Sequence, residues 1–285
     1  MTLPQPVRPP SEPPGLQGDE MIEIPGAQWQ FLLALSAFLV LWVIEGMAPF
    51  FRRTARVGHA ARNLAMAGLN ALALVVALSG LTVSVAHVTA TQQWGLLNLS
   101  PVAPFAKVAL AALVLDLWTY WWHWANHRID FLWRFHRMHH SDPSMDVSTA
   151  TRFHLGEVAL SVVARLGIIP LFGISLSVIV GYELVLLLST QFHHSNIALP
   201  AGMDRILRLV IVSPNMHRVH HSIERIETDS NYSSVLSIWD RLFRSYRERL
   251  DCRQIRFGVD GFSSKRYQSV KGLLLTPITP RSAPG

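Results

Sequence analysis

Thirteen histidines occur in this 285-residue chain, and eight of them fall into three tight clusters. The first is His123-Trp-Ala-Asn-His127, the second His136-Arg-Met-His139-His140, and the third His217-Arg-Val-His220-His221. On a helix, positions i, i+3 and i+4 share a face with neighbouring β-carbons about 6 Å apart. Each cluster therefore aims two or three imidazoles at one place, and an adjacent pair such as His139 and His140 can reach two metals. Protonated imidazoles so arranged repel one another, whereas neutral ones bind metal. His154 and one of His193 and His194 lie between the clusters, whereas His59 and His87 fit none and are read as interfacial or surface residues. The single cysteine, Cys252, excludes a disulfide framework and any cysteine metal cage. Ten or so imidazoles are too many for one ion and suit two. Zinc, copper, nickel and iron all accept imidazole, so spacing alone does not choose the metal. Zinc has no redox chemistry, yet it could substitute in a purified sample.

The elements that must position these clusters are apolar. Half of the residues are hydrophobic and 15% are charged, against about 25% in soluble domains; the mean hydropathy is +0.26. Residues 1–28, rich in proline and acids, lack the basic start and apolar core of a signal peptide and are expected to be a disordered tail. Residues 29–103 are expected to hold N-terminal transmembrane helices, with spans over about 29–51 and 64–87. A third span is expected over about 105–122. Region 158–192 is too long for one crossing and is interrupted by Pro170 and Gly173, which predicts a hairpin. The net charge of +6 would suggest nucleic acid in a soluble protein. Here Arg52, Arg53, Arg56 and Arg62 crowd one connection, while 88–104 has no Arg or Lys. The positive-inside rule then places the first connection, and all histidine clusters, on the cytoplasmic face. The implied class is all-α: an integral membrane helical bundle with a cytosolic helical cap holding a histidine-rich di-metal site. Residues 104–250 form the expected catalytic region, and 251–285 a C-terminal tail suited to the membrane surface.

Residues 104–246 resemble the fatty acid hydroxylase/sterol desaturase superfamily. The resemblance runs through Asp116-Leu-Trp-Thr-Tyr120-Trp-Trp-His123 to His127, then Phe135-His136-Arg-Met-His139-His140-Ser141 and Arg152-Phe-His154-Leu-Gly-Glu157. It continues through His194-Ser-Asn196, Pro214-Asn-Met-His217-Arg-Val-His220-His221-Ser222, Asn231-Tyr232 and Trp239-Asp240-Arg-Leu-Phe243. It departs from the family pattern at Trp124, Leu155, His193, Ser233 and Arg244, the last two standing where glycine is common. It implies metal ligation by His123, His127, His136, His139, His140, His154, His194, His217, His220 and His221, with spacing to Asn196 favouring His194 over His193. Asp116, Glu157 and Asn196 are expected to support the ligands through hydrogen bonds, and Trp239 and Asp240 to be structural.

The same resemblance implies two iron ions that use dioxygen and two electrons to hydroxylate or desaturate a lipid or sterol-like substrate. No side chain acting as acid, base or nucleophile cleaves an unactivated C–H bond, so the protein would supply ligand geometry and a dry cavity. Trp118, Trp121, Trp122 and Trp133 are candidate cavity walls, or else an interfacial aromatic belt. The sequence carries no dinucleotide glycine fingerprint and no cysteines for a cluster, so electrons are expected from a separate ferredoxin or b-type cytochrome. Arginines 205, 208, 218, 225, 241 and 244 are candidates to dock it. The alternatives are a non-catalytic histidine-rich metal-binding membrane protein and an ether-lipid or aldehyde-forming branch of the same family.

Overall fold

The computed structural model describes residues 27–52 and 55–280; the expected tail at 1–28 lies almost wholly outside them. Every described element is helical, and pairing between extended segments is limited to isolated bridges such as Pro49 with Ile197. The membrane half consists of α1 (Ala27–Met47), α2 (Arg56–Asn70), α3 (Val76–Thr91), α4 (Leu96–Leu99) and α5 (Pro104–Arg128), followed later by α7 (Leu155–Leu166), α8 (Ile168–Phe172) and α9 (Leu176–His194). The cap consists of α6 (Asp130–His140), α10 (Ala201–Leu207), α11 (Pro214–His220), α12 (Arg225–Thr228), α13 (Ile238–Leu242) and α14 (Val270–Leu274).

Among the described residues, three stretches are long and apolar enough to cross a membrane: Gln28–Met47, Leu155–Phe172 and Leu176–His194. The second expected span is longer than the sequence suggests. It joins α2 and α3 through a π-helical turn, Ala71–Val75, and its two halves bend by 55°. Region 155–194 does return as a hairpin. Its tip is Gly173, at φ +76°, and it packs backbone on backbone against Gly95, at φ +108°. A β-carbon on Gly95 would come within 1.9 Å of the Gly173 nitrogen, so both positions need glycine. The tip packs in a core of Ala86, Leu115, Ile169 and Ile174, at the end of the bundle away from the histidines.

A buried polar lattice holds the cap to the bundle. Glu45, the lone acid of α1, accepts hydrogen bonds from the backbone N–H groups of Val147 and Asn196 and from Arg56. Arg152, fully buried, donates to Met138 O, Asn63, Ser141 and Gln268. The C-terminal stretch through residue 279 packs on the cap. Arg137 of α6 donates to the carbonyls of Thr276 and Thr279 at 2.5 and 2.6 Å, and Gln268 bridges Arg152 to Ser141 O.

Candidate metal centre

Short helices with strong local caps present the cap histidines. Pro214 occupies the first turn of α11 and Ser213 caps it, accepting from Met216 N. Asp146 caps the 3-10 turn Val147–Thr151 in a reciprocal box with Thr149. That turn sets the chain leading to Arg152, whose carbonyl meets His139.

The histidines sort into two buried groups whose candidate ligand atoms lie within 4.8 Å of one another inside each group. One comprises His123, His127, His136, His140 and His220; the other His139, His194, His217 and His221. The two repeated motifs are split in opposite ways. In α6 the i and i+4 histidines join the first group and the i+3 residue the second. In α11 the i and i+4 residues join the second group and His220 the first. Nine of the ten expected ligands are thus brought together.

Hydrogen bonds fix which ring nitrogens face inward. His123 Nδ1 lies 2.7 Å from Tyr232 O, His220 Nδ1 2.6 Å from Ser230 O, and His136 Nδ1 2.6 Å from Glu157 Oε1. Carbonyls and carboxylates only accept, so each Nδ1 carries the hydrogen and each Nε2 is left with a lone pair. Yet His123 Nε2 lies 3.1 Å from His136 Nε2 and 3.0 Å from His220 Nε2. The second group repeats the pattern. His139 and His194 donate from Nδ1 to Arg152 O and Thr190 O, and their Nε2 atoms are 3.1 Å apart. His217 Nε2 lies 3.0 Å from that of His194 and 3.1 Å from that of His221.

Facing lone pairs at such distances repel unless a cation lies between them. A proton on one ring of each pair would relieve this as an N–H···N hydrogen bond, but burial disfavours it. Burial, reinforced by neighbouring imidazoles, holds His139, His140, His217, His220 and His221 well below the ordinary histidine value of 6.5. Both nitrogens of His127 and the Nδ1 atoms of His140, His217 and His221 are buried without a hydrogen-bond partner. An all-nitrogen, inward-facing donor set of this kind fits two transition-metal ions.

Three expected site residues do other work. His154 caps α7, accepting from Gly156 N, and its Nε2 donates to Leu274 O, 3.1 Å away; it belongs to neither group. Asp116 touches no histidine and instead accepts from Tyr182 Oη, Trp239 Nε1 and Leu236 N. Asn196 pairs through its side-chain amide with both backbone groups of Phe51, joining the end of α1 to that of α9. Glu157 meets His136 Nδ1 at 2.6 Å, and Asp240 holds the Tyr232 and Ser233 N–H groups.

Two histidines outside both groups are buried. His193 is buried, its ring 4.0 Å from that of His217, with Nδ1 unpartnered. His59, expected near the surface, is buried between Asp142 and Asp146 at 2.8 and 2.7 Å. Its partners lie more than 80 residues away in sequence, so no local spacing points to it.

Two cavities flank α9 at the level of the membrane half. One, about 670 Å³, lies between α5 and α9 and is closed on the metal side by the Asp116, Tyr182 and Trp239 network. The other, about 450 Å³, lies among α2, α3, α7 and α9. It reaches Ala150 and Thr151, just before Phe153, which stacks on His139 at 4.5 Å. No tryptophan lines either cavity. Trp133 packs on the metal-group rings of His127 and His140, and Trp118 stacks on Trp122.

The comparisons with known proteins agree with this architecture. Residues 108–245 match the family model described as fatty acid hydroxylase. Alkylglycerol monooxygenase from Homo sapiens is 28% identical over 214 residues, covering 75% of this chain and 45% of that protein. Ornithine lipid hydroxylase OlsE from Rhizobium tropici is 29% identical over 163 residues, covering 56% and 48%. Alkylglycerol monooxygenase from Danio rerio is 32% identical over 147 residues, covering 50% and 31%. The chain therefore spans less than half the length of each of these relatives. No solved structure matches it significantly. The family match covers every histidine of both groups, so over residues 108–245 this chain is similar to the fatty acid hydroxylase family.

Proposed function

We propose that the chain is a multi-pass membrane di-iron oxygenase that hydroxylates a lipid, with its histidine site on the cytoplasmic face. The observation that carries this reading is the convergence of two imidazole groups beside cavities set among membrane-length helices. The five-histidine group and the four-histidine group would each hold one iron, with zinc as a substitute in purified protein. Bound and reduced, the iron pair supplies dioxygen activation and hydrogen removal from an unactivated C–H bond. The chain's own residues do the rest. Glu157 and the carbonyls of Tyr232, Ser230, Arg152 and Thr190 lock the ring tautomers and orientations. Phe153, stacked on His139, helps exclude water.

The named relatives act on alkylglycerols and ornithine lipids, so both are candidate substrate classes. The arginine-rich connection after α1 supports the cytoplasmic orientation. Electrons would come from a separate ferredoxin or b-type cytochrome. Of the six candidate docking arginines, Arg218 is buried and bonded to the carbonyls of Ser195 and Ile197, and Arg208 and Arg241 are engaged within the cap. Arg225 is held by Asp229 and the His127 carbonyl, whereas Arg205 and Arg244 are exposed and remain suited to docking.

The test is oxygen- and reductant-dependent lipid oxidation by the iron-loaded protein, paired with the lipid profile of a deletion strain against its parent. Product formation that depends on iron, oxygen and reductant is the expected result. A loaded, reduced protein that consumes no oxygen with any membrane lipid would sink the reading.

A further inference from the structure

The α7–α9 hairpin carries a charged pair at the depth where charges are least expected. Arg165 of α7 lies 2.5 Å from Glu183 of α9. Glu183 is 11 residues before His194, which at 1.5 Å per residue puts it about 16 Å from the metal groups along the helix axis. Both residues fall well inside the two hairpin spans, Leu155–Phe172 and Leu176–His194. Ionisable groups at such depth are costly, and most face a functional interior. A simple staple between two helices would gain from being closed over. This pair is not: the Glu183 side chain is 46% exposed and that of Arg165 16%, and both line the 450 Å³ cavity.

The cavity runs from this pair toward the metals. On α9 its lining residues Val180, Glu183 and Leu187 recur at three- and four-residue spacing, and the same stripe continues to His194. On α7, Val158, Val162 and Arg165 form the matching stripe. At the metal end lie Thr151 and Asn70, whose Oδ1 is buried without a partner. The volume falls within the roughly 300–1,000 Å³ range of small-molecule sites.

Charge identifies the guest. Arg165 offers donors and Glu183 offers acceptors, and together they are neutral. A carboxylate or ammonium brought to a neutral pair in a low-dielectric site would leave one charge uncompensated. An uncharged group that both donates and accepts leaves none. We propose that this cavity is the substrate site, and that Arg165 and Glu183 seat an uncharged hydroxyl or amide of the lipid, about 16 Å from the carbon presented to the metals. The proposal rests on the lipid-hydroxylase reading above and narrows its substrate class.

The experiment uses the full-length, metal-loaded protein in neutral phosphatidylcholine nanodiscs, with displacement of a fluorescent acyl probe as the readout. Hexadecanol, hexadecanamide, hexadecanoate and hexadecylammonium are compared. The unmodified chain is expected to bind the alcohol and the amide at least about 10-fold more tightly than either ion, corresponding to about 1.4 kcal/mol. Glu183→Gln exposes the arginine charge, so hexadecanoate should become the tightest ligand. Arg165→Gln exposes the carboxylate, so hexadecylammonium should. The exchanged pair, Arg165→Glu with Glu183→Arg, should restore preference for neutral ligands, and it decides the question if either single variant fails to fold or to load metal. The same order of affinities in every folded variant would overturn the proposal and leave the pair a helix staple. Oxygen-dependent hydroxylation is scored separately. Hydroxylation without a switch in selectivity removes this inference alone. A switch in a protein that hydroxylates nothing supports the binding site and removes the catalytic reading.

Discussion

The two histidine groups draw on the same repeated motif but are braced differently. The five-histidine group is held from outside by a carboxylate and two carbonyls, through Glu157, Tyr232 and Ser230. The four-histidine group has two carbonyl braces, at Arg152 and Thr190, and a spare neighbour in His193. The first is assembled mostly from α5 and α6, adjacent in sequence. The second needs α9 to return from the membrane. The difference suggests that the first group is the better organised metal site, and that the second gains its rigidity from the hairpin.

The largest test of this contrast removes a ligand. His217→Ala should cost the four-histidine group its metal and lower turnover by at least about 100-fold, the upper end of what losing a supporting partner costs. His154→Ala should leave both metals in place. Metal-to-protein ratios measured by mass spectrometry check both, and metal loss in the His154 variant would return that residue to the ligand set. Next, Glu157→Ala should weaken metal binding at the five-histidine group by about 10- to 100-fold and spare the other, as read by chelator competition. Uniform loss at both groups would break the assignment of Glu157 to one of them. His193→Ala probes the opposite side. If its unpartnered Nδ1 completes the four-histidine group, affinity there falls by about 10-fold or more, whereas unchanged affinity makes it a packing residue.

The smallest effect concerns the scaffold. Arg244 adopts φ +59°, a left-handed conformation that costs an L-residue about 1–2 kcal/mol. Arg244→Gly should raise stability by about 0.5–1 kcal/mol after the entropy glycine loses, seen as a modest rise in thermal midpoint. No change in either direction would mean that Asp240 and Ser245 already absorb the strain.

The histidine sites and the hairpin were legible in the sequence because both follow from periodicity. Helical spacing put His136, His139 and His140 on one face, and the glycine at 173 ended a run too long for one crossing. The partition of those ligands between two groups was not legible, since it depends on where α11 meets α6 across about 80 residues. The roles of Asp116 and Asn196 were missed for a related reason. Each has the chemistry to support a ligand, and only the fold shows that its hydrogen bonds are spent on tryptophan, tyrosine and backbone groups instead. His154 sits beside the right residues in sequence, but its backbone position at the head of α7 turns the ring to capping.

Arg244 itself shows the limits and strengths of such reading. Glycine is common there in the family the sequence resembles, and the backbone explains why: the turn asks for a left-handed residue. Ser233, the other position of that kind, has no positive φ and is instead buried, with its N–H donated to Asp240.

The clasp between α6 and the stretch 268–279 has a consequence for how the protein is made. All the metal-group histidines lie between residues 123 and 221, but Arg137 and Arg152, which steady them, reach partners at 268, 276 and 279. During synthesis the last of these histidines is made 58 residues before the last of those partners, Thr279. The braces through Arg137 and Arg152 can therefore be completed only after the last of the histidines has been made.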